Sequence, residues 1–340
     1  LRLDPLGKES ADEMLSAMLG DSAELAQLKR AIIAKTEGNP FFMEETVQVL
    51  LDEGALVREG AAVKLIKPLG ELKIPPTVQA ILAARIDRLP SDEKNLLQAL
   101  AVMGKEFKLS LVRAVTGKSD DELNRMLGDL QLSEFIYEQP AVGDVEYTFK
   151  HALTQEVAYN SILIERRKQL HERIGAAIEA ILPDNLDDYV PELAHHYTRS
   201  TNRAKAFEFL YRAGERAIGR TSYREGEAYF AAALEAVMAM PESPERDTRE
   251  LRLLNELAQV MFVTKGWGSP EVFEMTSRAR VLAEKTGDLP QLVQQLYAAS
   301  AYAELRGDLA RRRRTCRSAA RGRTARGQPR QSGPGTSDAN

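Results

Sequence analysis

Cysteine is almost absent from this chain. Cys316 is the single one in 340 residues, which excludes a disulfide framework and any zinc or iron–sulfur site built on several thiolates. Four histidines leave little for a His-based metal centre. Aromatic residues make up 6% and tryptophan occurs once; beside abundant Ala, Leu, Glu and Arg, that shortage points to helix rather than a β-sandwich. No stretch of about 18 uncharged apolar residues occurs, and the longest apolar run, Ala231 to Met240, is interrupted by Glu235. No membrane span is expected. A charged-then-apolar leader is also missing after Leu1, so the chain reads as a cytoplasmic fragment of a longer protein, large enough for two or three compact units.

The net charge of −4 conceals an asymmetry: residues 310–340 hold nine Arg and one acid, Asp338, so the other 309 residues carry −12. An acidic body argues against general binding to a phosphate backbone. The basic stretch has Gly, Pro and Ser in place of apolar periodicity, so 310–340 is expected to be a disordered Arg-rich tail. Gly307-Asp308-Leu309 looks like the start of a helix that never arrives, as in a truncated or frame-altered terminus. A nucleic-acid-binding arm is the alternative, and the acidic neighbour counts against it.

Up to residue 60 the pattern is two or three helices. Leu25, Leu28, Ile32 and Ile33 recur at helical spacing until Gly38-Asn39-Pro40 stops the helix, and Pro40 opens the next. That helix has Phe41, Phe42, Val47, Leu50 and Leu51 as its apolar face, with Glu44 and Glu45 assigned to its first turn, where the helix dipole favours acids. A short β-like piece follows around Val63–Ile66. From Ile74 the helices shorten. Pro75-Pro76-Thr77 starts one along Val78, Ile81, Leu82, Arg85, Ile86 and Leu89. Ser91 is expected to cap a second, Asp92 to Met103; a third spans Ser110 to Thr116 before Gly117. Ser119-Asp120-Asp121-Glu122 forms a capping box that opens a fourth, through Ser133. Alternation in Phe135–Tyr137 and Val145–Phe149 around a Pro140/Gly143 turn signals a hairpin. Short helices closed by a hairpin have the layout of a winged helix. A helix from His151 to Ile164 and one from Arg166 to Ile181 come next. Beyond Pro183 helical pairs begin: Tyr223, Gly226, Phe230, Ala233 and Leu234, with Ala213-Gly214 before them, match a tetratricopeptide (TPR) unit whose small residues let paired helices approach. Helices over Thr248 to Val263 and Glu271 to Lys285 flank Gly266-Trp267-Gly268, and a last one runs from Gln291 to Arg306. The predicted fold is therefore mainly α, with a small β-hairpin.

Several phrases carry a family resemblance in order along residues 1–305: Thr36-Glu37-Gly38-Asn39-Pro40-Phe41-Phe42-Met43-Glu44-Glu45, Ile74-Pro75-Pro76-Thr77-Val78-Gln79-Ala80-Ile81-Leu82, Ala84-Arg85-Ile86-Asp87-Arg88-Leu89-Pro90 and Tyr147-Thr148-Phe149-Lys150-His151-Ala152-Leu153-Thr154-Gln155-Glu156-Val157-Ala158-Tyr159. Together they resemble the signal-transduction ATPases with numerous domains (STAND) of the AAA+ superfamily, as found after the catalytic domain of bacterial class III adenylate/guanylate cyclases. The resemblance implies a helical lid over 1–73, a winged-helix domain with following helices over 74–182, and TPR-like repeats over 183–309. It also implies a nucleotide switch, with ATP or ADP bound in the complete protein. The G-x-x-x-x-G-K-[ST] phosphate loop is not found before residue 36, so the fragment resembles the lid, winged helix and sensor repeats without the ATPase core. Its implied partners are that core and a cyclase domain in cis, with an unknown protein or peptide on the repeats.

The resemblance singles out three binding residues. Gly38 and Pro40 form a Gly-x-Pro turn placed against adenine; from the residues alone they are a helix stop and a helix start. His151, directly after a strand and at the head of a helix, is placed against the β-phosphate of ADP, where an imidazole can donate to oxygen; the plain reading is a histidine packed at a domain joint. Lys150 reads first as a surface charge. Gly117-Lys118-Ser119 mimics a phosphate loop, but Val112 stands where the first glycine is needed and a helix precedes it. His195-His196 cannot easily share one ion, since neighbours on a helix point about 100° apart; Glu192 could bond one of them, and His171 reads as a solvated face. The would-be recognition helix, Asp120 to Glu134, has five acids against Arg125 and would be repelled by DNA. No catalytic residues and no metal site are expected. The leading reading is a non-catalytic regulatory portion of a cyclase-type signalling protein. The alternatives are the regulatory portion of a LuxR-type transcription regulator or a plain TPR-like scaffold without nucleotide dependence.

Overall fold

The computed structural model describes residues 5–59, 62–68, 75–140, 143–266 and 269–305. The Arg-rich tail and Trp267-Gly268 lie outside them. The fold is mainly α: fifteen α-helices and five short strands among the described residues. The chain divides into two compact units, Leu1–Leu170 and His171–Asn340.

The first unit opens with helices α1 (Lys8–Leu19), α2 (Ala26–Thr36) and α3 (Pro40–Asp52), followed by the antiparallel pair β1 (Leu56–Glu59) and β2 (Ala62–Leu65). Leu15, Leu28, Ile32, Met43, Val47, Leu50 and Leu56 close one apolar core over these elements, the consequence of apolar residues recurring every three to four positions. Strand β1 was not expected: four residues, two of them charged, hold no period, and its pairing with β2 defines it. Glu44 and Glu45 lie beyond the first turn of α3, which has no acid; the helix dipole therefore does not account for them.

After 75 come α4 (Val78–Arg88), α5 (Ser91–Met103), β3 (Glu106–Lys108), α6 (Leu109–Thr116), α7 (Asp120–Leu132), β4 (Ile136–Gln139), β5 (Glu146–Phe149) and α8 (Ala152–Asn160). Thr77 caps α4 by accepting from the Ala80 N–H at 3.2 Å, and the Ser119/Glu122 capping box opens α7 as expected. The N-cap of α5 is Pro90 and makes no side-chain cap, so Ser91 is the first helical residue and not the cap. The hairpin gains an unforeseen third strand, giving the order β3-β5-β4; β3 is only three residues, with buried Phe107 between two exposed charges. Helix α8 stops at Asn160, short of Ile164.

The division between units falls inside α9 (Ile164–Ile181). The second unit continues with a 3-10 turn at Pro183–Tyr189, α10 (Val190–Thr198), α11 (Arg203–Gly219), α12 (Tyr223–Met238), α13 (Pro244–Lys265), α14 (Pro270–Thr286) and α15 (Leu289–Leu305). Successive helices pack as pairs from α10 to α15. A Cβ on Gly214 would stand 2.5 Å from the Phe230 ring, and one on Gly226 would collide with Ile218, so the small residues of the TPR-like pattern are what let α11 and α12 close up.

Candidate functional site

Pro40 is the first residue of α3, where its missing N–H is no loss, and Asn39 caps the helix by accepting from the Phe42 N–H at 3.1 Å. Gly38 sits at φ +77°. Its carbonyl accepts from the Leu6 N–H at 2.9 Å, and a side chain on it would strike the Leu6 carbonyl. Gly38 is thus glycine because the chain's own segment crosses it closely. Beside this turn runs an open groove of about 350 Å³ whose wall includes Pro5, Thr36, Asn39, Phe42, Pro76 and Val78, a volume at the low end for small-molecule clefts. Pro40 and His151 are not in that wall.

His151 is the N-cap of α8, in extended backbone, and its side chain makes no capping bond. Its ring packs instead on Phe41, with centroids 4.0 Å apart. Because Phe41 follows Pro40, the Gly-x-Pro turn and His151, 111 positions apart in sequence, come together through one aromatic contact. His151 Nε2 is buried with no hydrogen-bond partner among the described residues. Burial holds this imidazole below its ordinary pKa, against the opposing charge of Glu44, so it is neutral at pH 7 and has one N–H to donate.

The ion pairs around it were not foreseen. Lys150 Nζ donates to Glu44 of α3 at 2.5 Å and to Glu134, just after α7, at 3.0 Å. Burial acts to lower the Lys150 pKa, but the two carboxylates outweigh it and hold the ammonium above its usual value. Arg85 of α4 lies deeper: it donates to Glu45 at 2.5 Å and to the Ser133 carbonyl at 2.6 Å, with its guanidinium 4.9 Å from the centre of the Phe135 ring. Desolvation raises the Glu45 pKa, and Arg85 opposes the shift. One sequence signal was available: Phe41 and Glu44 are spaced i, i+3 and share a face of α3.

Lys118 plays no part here. Gly117 ends α6 in a left-handed turn at φ +67°, Ser119 caps α7, and Lys118 lies 3.7 Å from Glu122. In the second unit the histidines are arranged otherwise than expected. His171 is 1% exposed rather than solvated, and its Nδ1 meets Nδ1 of equally buried His196 at 2.9 Å; this position of α9 turns inward, onto α10. Burial and the neighbouring histidines push the His196 pKa down to about 3, so His196 is neutral at pH 7 and its Nδ1 is held against that of His171. Among the described residues, no group of three or more His, Cys, Asp or Glu lies close enough to hold a metal ion, and no helix is long and apolar enough to cross a membrane.

No family model matches the chain. A curated relative, the uncharacterized protein R02095 of Rhizobium meliloti (strain 1021), is 27% identical over 194 residues; these make up 56% of this chain but 19% of the relative. The chain thus spans about a fifth of the length of the curated protein it matches. BtubC (BKLC) from P. vanneervenii has a TM-score of 0.36 at 14% identity, over 78% of this chain and all of its own. The Signal Transduction ATPase with Numerous Domains (STAND) protein with a tetratricopeptide repeat sensor, PH0952 from Pyrococcus horikoshii, has a TM-score of 0.34 at 10% identity, over 95% of this chain and 54% of its own.

Proposed function

We propose that this chain is the regulatory, nucleotide-switch and protein-interaction portion of a multidomain signalling ATPase, with an adenylate or guanylate cyclase as the parent, and that it catalyses nothing by itself. The observation that carries the reading is the Phe41–His151 contact, which holds the Gly-x-Pro turn and the imidazole together. The order α5–β3–α6–α7–β4–β5 supports a winged helix, and its acidic α7 supports packing within the protein over binding to DNA. The close α11–α12 pair supports TPR-like repeats that receive a protein or peptide.

In the complete protein, ATP or ADP would be held by Pro40, in the turn that Gly38 sets, on the adenine side and by His151 on the phosphate side. His151 fits that part because its buried Nε2 has no hydrogen-bond partner among the described residues. The bound nucleotide supplies a phosphate group whose loss or exchange alters the contact with the imidazole. The missing ATPase core would supply the remaining phosphate contacts.

The test is ADP-dependent stabilisation of the parent protein, which mass action sets at about 2.7 kcal/mol when ADP is a hundredfold above its Kd. His151→Ala should shrink that stabilisation, and the isolated 340-residue chain should show no ATP hydrolysis and no cyclase activity. An undiminished ADP effect in the variant, or robust turnover by the clean chain that His151→Ala abolishes, overturns the reading. No ADP effect on the parent at all would favour a plain scaffold.

A further inference from the structure

Two consecutive acids of α3 and two consecutive residues after α7 grip two cations between them. One rung runs Glu45–Arg85–Ser133 carbonyl, the other Glu44–Lys150–Glu134. They share a geometry and differ in access. The side chains of Arg85 and Glu45 are 3% and 4% exposed; those of Lys150, Glu44 and Glu134 are 19%, 31% and 50% exposed. We infer that the two rungs divide their labour: the Arg85 rung is a fixed fastening, and the Lys150 rung is exchangeable, its ammonium passing from Glu44 and Glu134 to the phosphates of a nucleotide held at His151. The inference rests on the nucleotide reading above and names how that site is regulated.

Four observations support it. Arg85 is a planar fork held by Glu45, the Ser133 carbonyl, Asp52 at 3.5 Å and an aromatic face, whereas a lysine ammonium is a compact charge on a flexible stem that can turn to a new acceptor. The lysine is shared by two carboxylates, so a phosphate approaching it meets a surplus negative charge; binding requires at least one carboxylate to let go. Phe41 and Glu44 lie on one face of α3 and touch the consecutive residues His151 and Lys150, so an anion at the imidazole is presented to the ammonium. Finally, Glu134 holds a left-handed backbone at φ +57°, a conformation that non-glycine residues seldom adopt. Gly or Asn would take that position more readily; glutamate brings a carboxylate that reaches Lys150.

When Lys150 lets go, Glu44 loses its tether while Glu45 keeps its own, so α3 loosens at its N-terminal end without detaching. The test is hydrogen exchange of α3 amides in the 340-residue chain, titrated with millimolar inorganic pyrophosphate against sodium chloride of equal ionic strength. The expected result is faster exchange around Phe41–Glu45 with pyrophosphate in the wild type, no such response in Lys150→Met, and about tenfold weaker pyrophosphate binding in that variant. Lys150→Arg should bind pyrophosphate with the response restored in part. Exchange that follows ionic strength alone, or an equal pyrophosphate response in Lys150→Met, overturns the inference. A His151→Gln arm separates it from the reading beneath: if His151→Gln loses pyrophosphate while Lys150→Met responds as wild type, only the exchangeable rung is wrong. If His151→Gln binds as wild type, the phosphate end of the nucleotide reading is wrong.

Discussion

In the unit that ends at Leu170, α3 meets α4 through an apolar cluster of Phe42, Val49, Val78 and Ile81 and, with the end of α7, through charge, with Arg85 and Lys150 held between carboxylates and a carbonyl. In the unit that begins at His171, α11 meets α12 through missing bulk, with Phe230 seated over Gly214 and Tyr211 tilted against Phe230 at 5.5 Å. The two devices respond to different agents. An ion pair is weakened by a competing ion, a proton or salt, whereas a van der Waals seat responds only to changes of shape. A joint that includes exposed ion pairs is therefore open to competition from a small anion. A region built on close-packed helices is suited to holding a fixed surface for a partner.

The largest test of that contrast is Arg85→Met. Removing one partner of a buried ion pair leaves the other uncompensated, at a cost of about 3–5 kcal/mol, read as loss of urea resistance in the first unit. The cost should depend on pH with a definite sign. Burial already raises the Glu45 pKa, and without Arg85 it rises further, so the variant's penalty grows as pH climbs above the unfolded carboxylate range and shrinks below it. A penalty independent of pH would mean that Glu45 escapes to solvent.

The buried histidine pair probes the other unit. His196 has a folded pKa of about 3 against 6.5, so the folded state resists taking up its proton. Its contribution is complete above pH 6.5 and is lost progressively as pH falls towards 3, amounting to about 2 kcal/mol between pH 7 and 5. Denaturant midpoints of the second unit should fall over that window, and His196→Phe should flatten the fall. An equally steep variant would assign the acid sensitivity to carboxylates instead.

Gly214→Ala sharpens the packing side of the contrast. The new methyl meets Phe230 at 2.5 Å, an overpacking cost of about 1–3 kcal/mol, against about 1 kcal/mol gained in helix propensity. The net expectation is a loss of about 1 kcal/mol in the melting of the second unit, and pairing it with Phe230→Leu should recover most of the loss. Stabilisation by Gly214→Ala alone would show that α11 and α12 have room to spare.

What could be read from the residues divides along the same line. Helices with strong periodicity or a cap, such as α2, α4, α7 and α12, follow from local rules, because spacing and capping groups are local. Strands β1 and β3 do not, since three or four residues acquire strand character only from a distant partner. The turn at Gly38-Asn39-Pro40 was legible as a turn from its residues; its closeness to His151 was implied only by the family resemblance, because local rules do not say how α3 and α8 are packed. The acids Glu44 and Glu45 were legible only as charges near a helix start. Their true partners lie 106 and 40 positions away, and nothing local distinguishes a clamped carboxylate from a solvated one. His171 failed for the same reason: its flanks are charged, and one inward position in a polar helix leaves no period to detect.

The smallest expected effect is also the cleanest contrast between two lysines of one unit. Lys118 stands in a Gly-Lys-Ser phrase and Lys150 does not, yet Lys118 faces a half-exposed Glu122 at 3.7 Å while Lys150 is shared by two carboxylates beside His151. An exposed i, i+4 pair contributes little, so Lys118→Met should leave stability almost unchanged and leave pyrophosphate-driven exchange in α3 unaltered. A loss of anion response in Lys118→Met equal to that in Lys150→Met would mean that the anion is drawn by the net charge of the whole unit, and the geometry around His151 would then have no special part in it.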